Sequence, residues 1–164
     1  MRRHSALLAI AIATAFVPSG VALSQQQQGE KTPQVPAAVR TEILTFMRGY
    51  IDAQNRADAT ALSDAMSRRA DVSSIQYGTI TRGWEAIRSS TDQITGKEGT
   101  FRVDVGTMDV VSVGPSYVLV VAPMTITANT QPQPRQLPGA MTLVLEKSQD
   151  GWKILNEHYS LRLP

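Results

Sequence analysis

From residue 101 onward the chain consists of four runs rich in β-branched and other apolar residues, and few folds accept such a half. The runs are FRVDVGTMDVVSV, SYVLVVAPMTIT, GAMTLVLEK and GWKILNEHYSLRL. Each reads as a strand, and turn residues separate one from the next. Gly114-Pro115 and Asp150-Gly151 supply tight hairpin turns, whereas Asn129 to Pro138, with three Pro, makes a longer polar loop. Four consecutive strands of this kind predict an antiparallel meander. Gly106 and Pro123 interrupt it, and both residues are better tolerated at a bulge or an edge than in a regular ladder. Bulges bend sheets, and a bent sheet can wrap a cavity.

The part before this sheet is patterned differently. Val39, Ile43, Phe46, Met47, Tyr50, Ile51 and Gln54 recur at helical spacing, predicting an amphipathic helix from about Ala37 to Ala57. Asp58 is placed to cap a second, short helix from Ala59 to Ser67, with Leu62, Ala65 and Met66 continuing the apolar stripe. A short strand follows over 71–76, and Trp84, Ile87 and Ile94 mark a third helix over 83–95. Helices followed by a run of strands predict an α+β class with helices packed on one face of a curved, mainly antiparallel sheet.

The first 24 residues require separate treatment. Arg2 and Arg3 precede an uncharged apolar stretch from Ala6 to Val17, a Pro18-Ser19-Gly20 break and small residues at Ala22 to Ser24. This is the pattern of a secretory signal peptide over 1–24, and the apolar run is too short to span a membrane. The expectation is an exported protein, periplasmic or secreted, with no membrane span after signal removal. Residues 25–36, QQQQGEKTPQVP, lack an apolar period and read as a flexible linker, leaving 37–164 as one folded domain. Two of the 16 Lys and Arg belong to the signal, so the rest balances the 14 Asp and Glu. Without a basic cluster there is no electrostatic footprint for nucleic acid. Cysteine is absent, which excludes thiolate metal centres and disulfide scaffolds.

The helix-1 run YIDAQNRADATAL, the segment TITRGWEAI and the closing MTLVLEKSQDGWKILNEHYS together resemble the SnoaL-like branch of the nuclear transport factor 2-like (NTF2-like) superfamily. The resemblance implies a cone-shaped α+β fold with a deep pocket between helices and curved sheet, and a homodimer formed through the sheet. The superfamily holds polyketide cyclases, isomerases, dehydratases and non-catalytic binding modules, so membership does not select a function.

His158 is the only histidine beyond the signal. By the period of two, Trp152, Ile154, Asn156, His158 and Ser160 share one face of the last strand and Lys153, Leu155, Glu157 and Tyr159 the other. We expect the first set to face the pocket, where His158 could exchange protons near neutral pH. Asp109, beyond the Gly106 break, is the strand carboxylate available to pair with it, while Asp104 is expected on the solvent face. Tyr50, Tyr77, Trp84, Met124 and Met141 complete the expected pocket lining, with the two phenols as candidate donors to a carbonyl oxygen. No metal-ligand spacing and no phosphate-cradling Gly loop occurs, so neither metal nor cofactor is expected. The favoured function is binding of a small hydrophobic molecule without established catalysis. The alternative is a cofactor-independent isomerase, cyclase or dehydratase acting on a carbonyl-containing, polyketide- or steroid-like molecule.

Overall fold

The computed structural model describes residues 35–76, 78–94, 101–129 and 133–162. The signal peptide, nearly all of the linker, and Tyr77 lie outside the described residues. Helix α1 spans Ala37–Asn55 and buries Ile43, Met47, Tyr50 and Ala53, a single stripe at helical spacing. Its end is a Schellman closure: Asp58 N–H donates to Ala53 O at 2.9 Å and Ala57 N–H to Gln54 O at 3.1 Å. Ala57 takes the left-handed φ of 52° that this closure demands. Asp58 then caps helix α2, Ala59–Ala65, by accepting from Ala61 N–H at 3.0 Å. The capping prediction holds.

Strands β1, Ser73–Gln76, and β2, Thr79–Arg82, form a hairpin ahead of helix α3, Trp84–Ile94. The sequence reading contained β1 but not β2, which has only Ile80 as an apolar residue and leaves it 57% exposed. The expected first long strand of the meander is two strands: β3, Phe101–Val105, and β4, Asp109–Gly114. The break falls at Gly106, whose N–H donates to Pro123 O at 2.9 Å. A side chain here would crowd the proline ring, since a Cβ would sit 3.0 Å from Pro123 Cγ. Both pieces pair antiparallel with strand β5, Tyr117–Ala128. Strand β6, Arg135–Ser148, starts inside the expected polar loop, and strand β7, Gly151–Leu161, closes the chain.

The sheet order is β2-β1-β7-β6-β5-β3, with β4 also on β5, and all pairs are antiparallel except β1 with β7. The described structure is α+β, with helices on one face of a curved, mostly antiparallel sheet. Its core joins the α1 stripe to inward residues of the long strands, among them Val120, Met141, Leu143, Leu145 and Ile154, each at most 1% exposed. No helix among the described residues is long and apolar enough to cross a membrane.

One irregularity matters for everything that follows. In the β6–β7 ladder Leu145 faces Ile154 and the adjacent Val144 faces Asn156, so Leu155 is an extra, bulged residue. Before it Trp152 and Ile154 point into the core; after it Glu157 and Tyr159 do. The strict alternation expected for this strand is corrected accordingly: His158 and Ser160 are exposed on the opposite face.

A left-handed conformation costs a non-glycine residue roughly 1–2 kcal/mol. Ala57→Gly is therefore expected to raise unfolding stability, by about 0.5–1 kcal/mol after glycine's extra chain entropy is subtracted, in a denaturant titration.

Candidate functional site

Three elements meet at Glu157, which is 3% exposed. Helix α1 delivers Tyr50 from its buried stripe and Gln54 one turn further on. Strand β7, past the bulge, delivers Glu157 and Tyr159. Strand β1 runs parallel beside it, with Ser74 opposite Glu157 and Gln76 opposite Tyr159 in the register. The inward side chains of both strands thus stand next to each other.

Each carboxylate oxygen of Glu157 accepts two hydrogen bonds. Oε2 receives Tyr50 Oη at 2.5 Å and Tyr159 Oη at 3.2 Å. Oε1 receives Ser74 Oγ at 2.7 Å and Gln76 Nε2 at 3.3 Å. Gln54 Nε2 donates to Tyr159 Oη at 2.9 Å, and the two phenol oxygens lie 3.4 Å apart. All the donors are neutral. Among the described residues no Lys, Arg or His forms an ion pair with Glu157.

This network forms the polar end of a cavity. An inner chamber of about 100 Å³ is walled by Leu62 and Met66 of the α2 region, Ile87 of α3, and Phe101, Val103, Met124 and Ile126 of the sheet. It shares Gln76, Ile87, Thr91, Phe101, Ile126 and Glu157 with an outer vestibule of about 450 Å³, whose other walls carry the hydroxyls of Ser74, Thr79, Thr81 and Ser90. Among the described residues Glu157 is the only carboxylate, and no basic side chain lines either part.

The environment acts on the phenols. Burial, reinforced by the neighbouring Glu157 charge, pushes Tyr50 and Tyr159 well above the usual tyrosine value of 10.0. Both remain neutral donors across the physiological range.

The expected lining is partly brought together. Tyr50 and Met124 line the inner chamber. Met141 is 1% exposed inside the core and reaches neither space. Trp84 lies outside the cavity: its Nε1–H donates to Ser63 O at 3.1 Å, and the Arg68 and Arg88 guanidiniums sit over its ring at 4.9 Å and 5.4 Å in a separate surface cleft. His158 and Asp109 are both exposed and line neither space, so the geometry does not bring together the pair expected to exchange protons. Asp104 is exposed as expected and accepts from Arg102 Nε at 2.9 Å. Among the described residues no group of three metal-ligating side chains is assembled.

Sequence reasoning missed Glu157, Gln54, Ser74 and Gln76. The acid and Tyr159 belong to the set assigned outward, and only the bulge turns them in. The available signal was the pair itself, an acid two residues from a phenol on the strand that also carries Trp152 and Ile154.

A curved, mostly antiparallel sheet with helices on one face is the fold this chain shares with NTF2-like proteins of known structure. The sequence model of the SnoaL-like domain matches residues 43–164, and the chain belongs to that family. No curated protein matches it in sequence. Among solved structures, it resembles a candidate dehydratase of the NTF2-like family from Streptomyces avermitilis, with TM-score 0.70 and 21% identity over 79% of this chain and 100% of that one. It also resembles an NTF2-like superfamily protein from Salmonella enterica, with TM-score 0.65 and 20% identity over 77% and 93%. A third is an NTF2-like protein of unknown function from Shewanella oneidensis, with TM-score 0.64 and 19% identity over 74% and 98%. These likenesses concern the fold.

The raised phenols carry a pH signature. Their folded values exceed the unfolded one, so the unfolded chain loses these protons first as pH rises past about 10. The stability they contribute is present below that pH and is lost above it. Alkaline unfolding is expected to steepen by up to about 1.4 kcal/mol per pH unit for each tyrosine, and Tyr159→Phe is expected to flatten it by one such share, read from unfolding free energy against pH.

Proposed function

We propose that this is an exported SnoaL-like protein whose cavity binds a small, largely apolar molecule, with one polar group of the ligand docked on the Glu157 floor. The carrying observation is the continuity of the apolar chamber with a hydrogen-bonded polar end. Apolar walls supply affinity by excluding water, and a few fixed polar groups orient the ligand. The amino-terminal pattern supports export, and the family resemblance supports a homodimer through the outer sheet face. Native mass spectrometry of protein taken from its host's periplasmic or secreted fraction is expected to give a chain starting near Gln25, a dimer mass and a retained small molecule.

A defined probe tests the cavity. Naphthalen-2-ylmethanol, a neutral apolar alcohol, is expected to raise the melting temperature in proportion to occupancy, with stabilisation of about 2.7 kcal/mol at a hundredfold excess over Kd. Met124→Trp, which fills the chamber, should abolish the shift. A wild-type protein indifferent to the alcohol and to related neutral ring compounds would remove the ligand reading.

The placement of a carboxylate beside two phenols on the cavity floor favours a second reading, a cofactor-independent isomerase, cyclase or dehydratase. Here Glu157, rather than His158 with Asp109, would take the proton and a tyrosine would donate to the carbonyl oxygen. The candidate dehydratase from Streptomyces avermitilis shares this fold. On an identified substrate, Glu157→Gln is expected to lower kcat by about a hundredfold or more while His158→Ala leaves it unchanged. The reverse pattern would return the role to His158.

A further inference from the structure

We propose that the natural ligand is a cation: an apolar ring body carrying a protonated primary amine that docks on Glu157. This rests on the cavity being a ligand site and names the chemical class it selects. The first observation is charge. Glu157 is a carboxylate held 3% exposed at the junction of both chambers, and among the described residues it is unaccompanied by any cationic side chain in either. Buried charges are normally paired, because neutral donors soften the loss of hydration without cancelling the charge. A ligand ammonium would supply the countercharge that no described residue provides, and a charge-assisted bond in a low-dielectric cavity is the strongest single contact such a site can make.

The second observation is how the oxygens are held. Each has one short anchor, Tyr50 at 2.5 Å on Oε2 and Ser74 at 2.7 Å on Oε1. Each also has one longer contact whose donor has another acceptor within reach. Gln76 Nε2, 3.3 Å from Oε1, lies 3.2 Å from Ser74 Oγ. Tyr159 Oη, 3.2 Å from Oε2, lies 3.4 Å from Tyr50 Oη. Both can turn to those partners when an ammonium arrives, so each oxygen offers an exchangeable position while the carboxylate itself stays fixed. The ammonium's three protons match this geometry: two exchangeable carboxylate positions and the Tyr159 or Gln76 oxygen beside them.

The third observation is aromatic lining. Tyr50, Phe101 and Tyr159 line the inner chamber, and aromatic faces attract a desolvated cation while also packing the apolar body. A neutral alcohol gains the packing without the charge. A carboxylate-bearing ligand would meet Glu157 as a like charge and is selected against.

Isothermal titration of the purified protein with naphthalen-2-ylmethylamine and naphthalen-2-ylmethanol tests this, since the two share a body and differ only in the terminal group. The amine is expected to bind about tenfold or more tightly than the alcohol. In Glu157→Gln that preference is expected to collapse to about twofold or less. Because the pair is buried, the wild-type preference should persist when NaCl is raised from about 0.05 M to about 0.5 M, a measurement that needs no variant. An alcohol that binds as well as the amine, a preference that survives in Glu157→Gln, or one that vanishes in salt would each overturn the cation while leaving the ligand pocket standing. Absence of binding by both would overturn the pocket and the cation together.

Discussion

One extra residue in the last strand, Leu155, sets the character of this protein's interior. A strand presents alternate side chains to its two faces, and a bulge inverts the assignment for all that follows. Ahead of it Trp152 and Ile154 fill the core; beyond it Glu157 and Tyr159 turn into the cavity while His158 and Ser160 turn out. Without the bulge the cavity would be floored by an asparagine and a histidine. With it, the floor is an anion flanked by a phenol.

An inward carboxylate is tolerated only because other parts of the fold meet it. Burying such a charge costs several kcal/mol, and the donors that offset this come from helix α1 and strand β1. Tyr50 is 107 residues from Glu157 along the chain and Ser74 is 83 residues away. The parallel pairing of β1 with β7 places Ser74 and Gln76 beside the acid. The site therefore exists only when the whole domain is closed, and its geometry is as rigid as the helix-to-sheet packing beneath it.

The division of the cavity walls follows from the same arrangement. The sheet strands β3 and β5 contribute carbon surface, because their inward positions continue the core, whereas the helices contribute both kinds, Leu62 and Ile87 beside Gln54, Ser90 and Thr91. Strands β1 and β2 contribute hydroxyls and an amide, because this short hairpin stands at the sheet edge and needs no apolar face of its own. A ligand thus meets carbon surface from β3 and β5, hydroxyls from the β1–β2 hairpin and, among the described residues, one carboxylate where they join.

Much of this architecture was legible in the residues. The helical stripe of α1, the Asp58 cap, the long strands β5 and β7 and the α+β class follow from local periodicity and turn chemistry, which depend on neighbours close in sequence. So does the presence of Tyr50 and Met124 on inward faces. The division of the expected strand at Gly106, the β2 hairpin strand, the exclusion of Trp84 and Met141 from the cavity, and the exchange of His158 for Glu157 were not. Each depends on which distant segment lies alongside: Pro123 O for Gly106, Ser63 O for Trp84, Val144 and Leu145 for Leu155. Sequence by itself determined the elements and the kind of surface each had to bury, because these are set by side-chain spacing along one strand or helix. Tertiary structure alone decided which polar groups share the cavity, because a one-residue shift in strand pairing reverses every face beyond it and leaves the local pattern of residues unchanged.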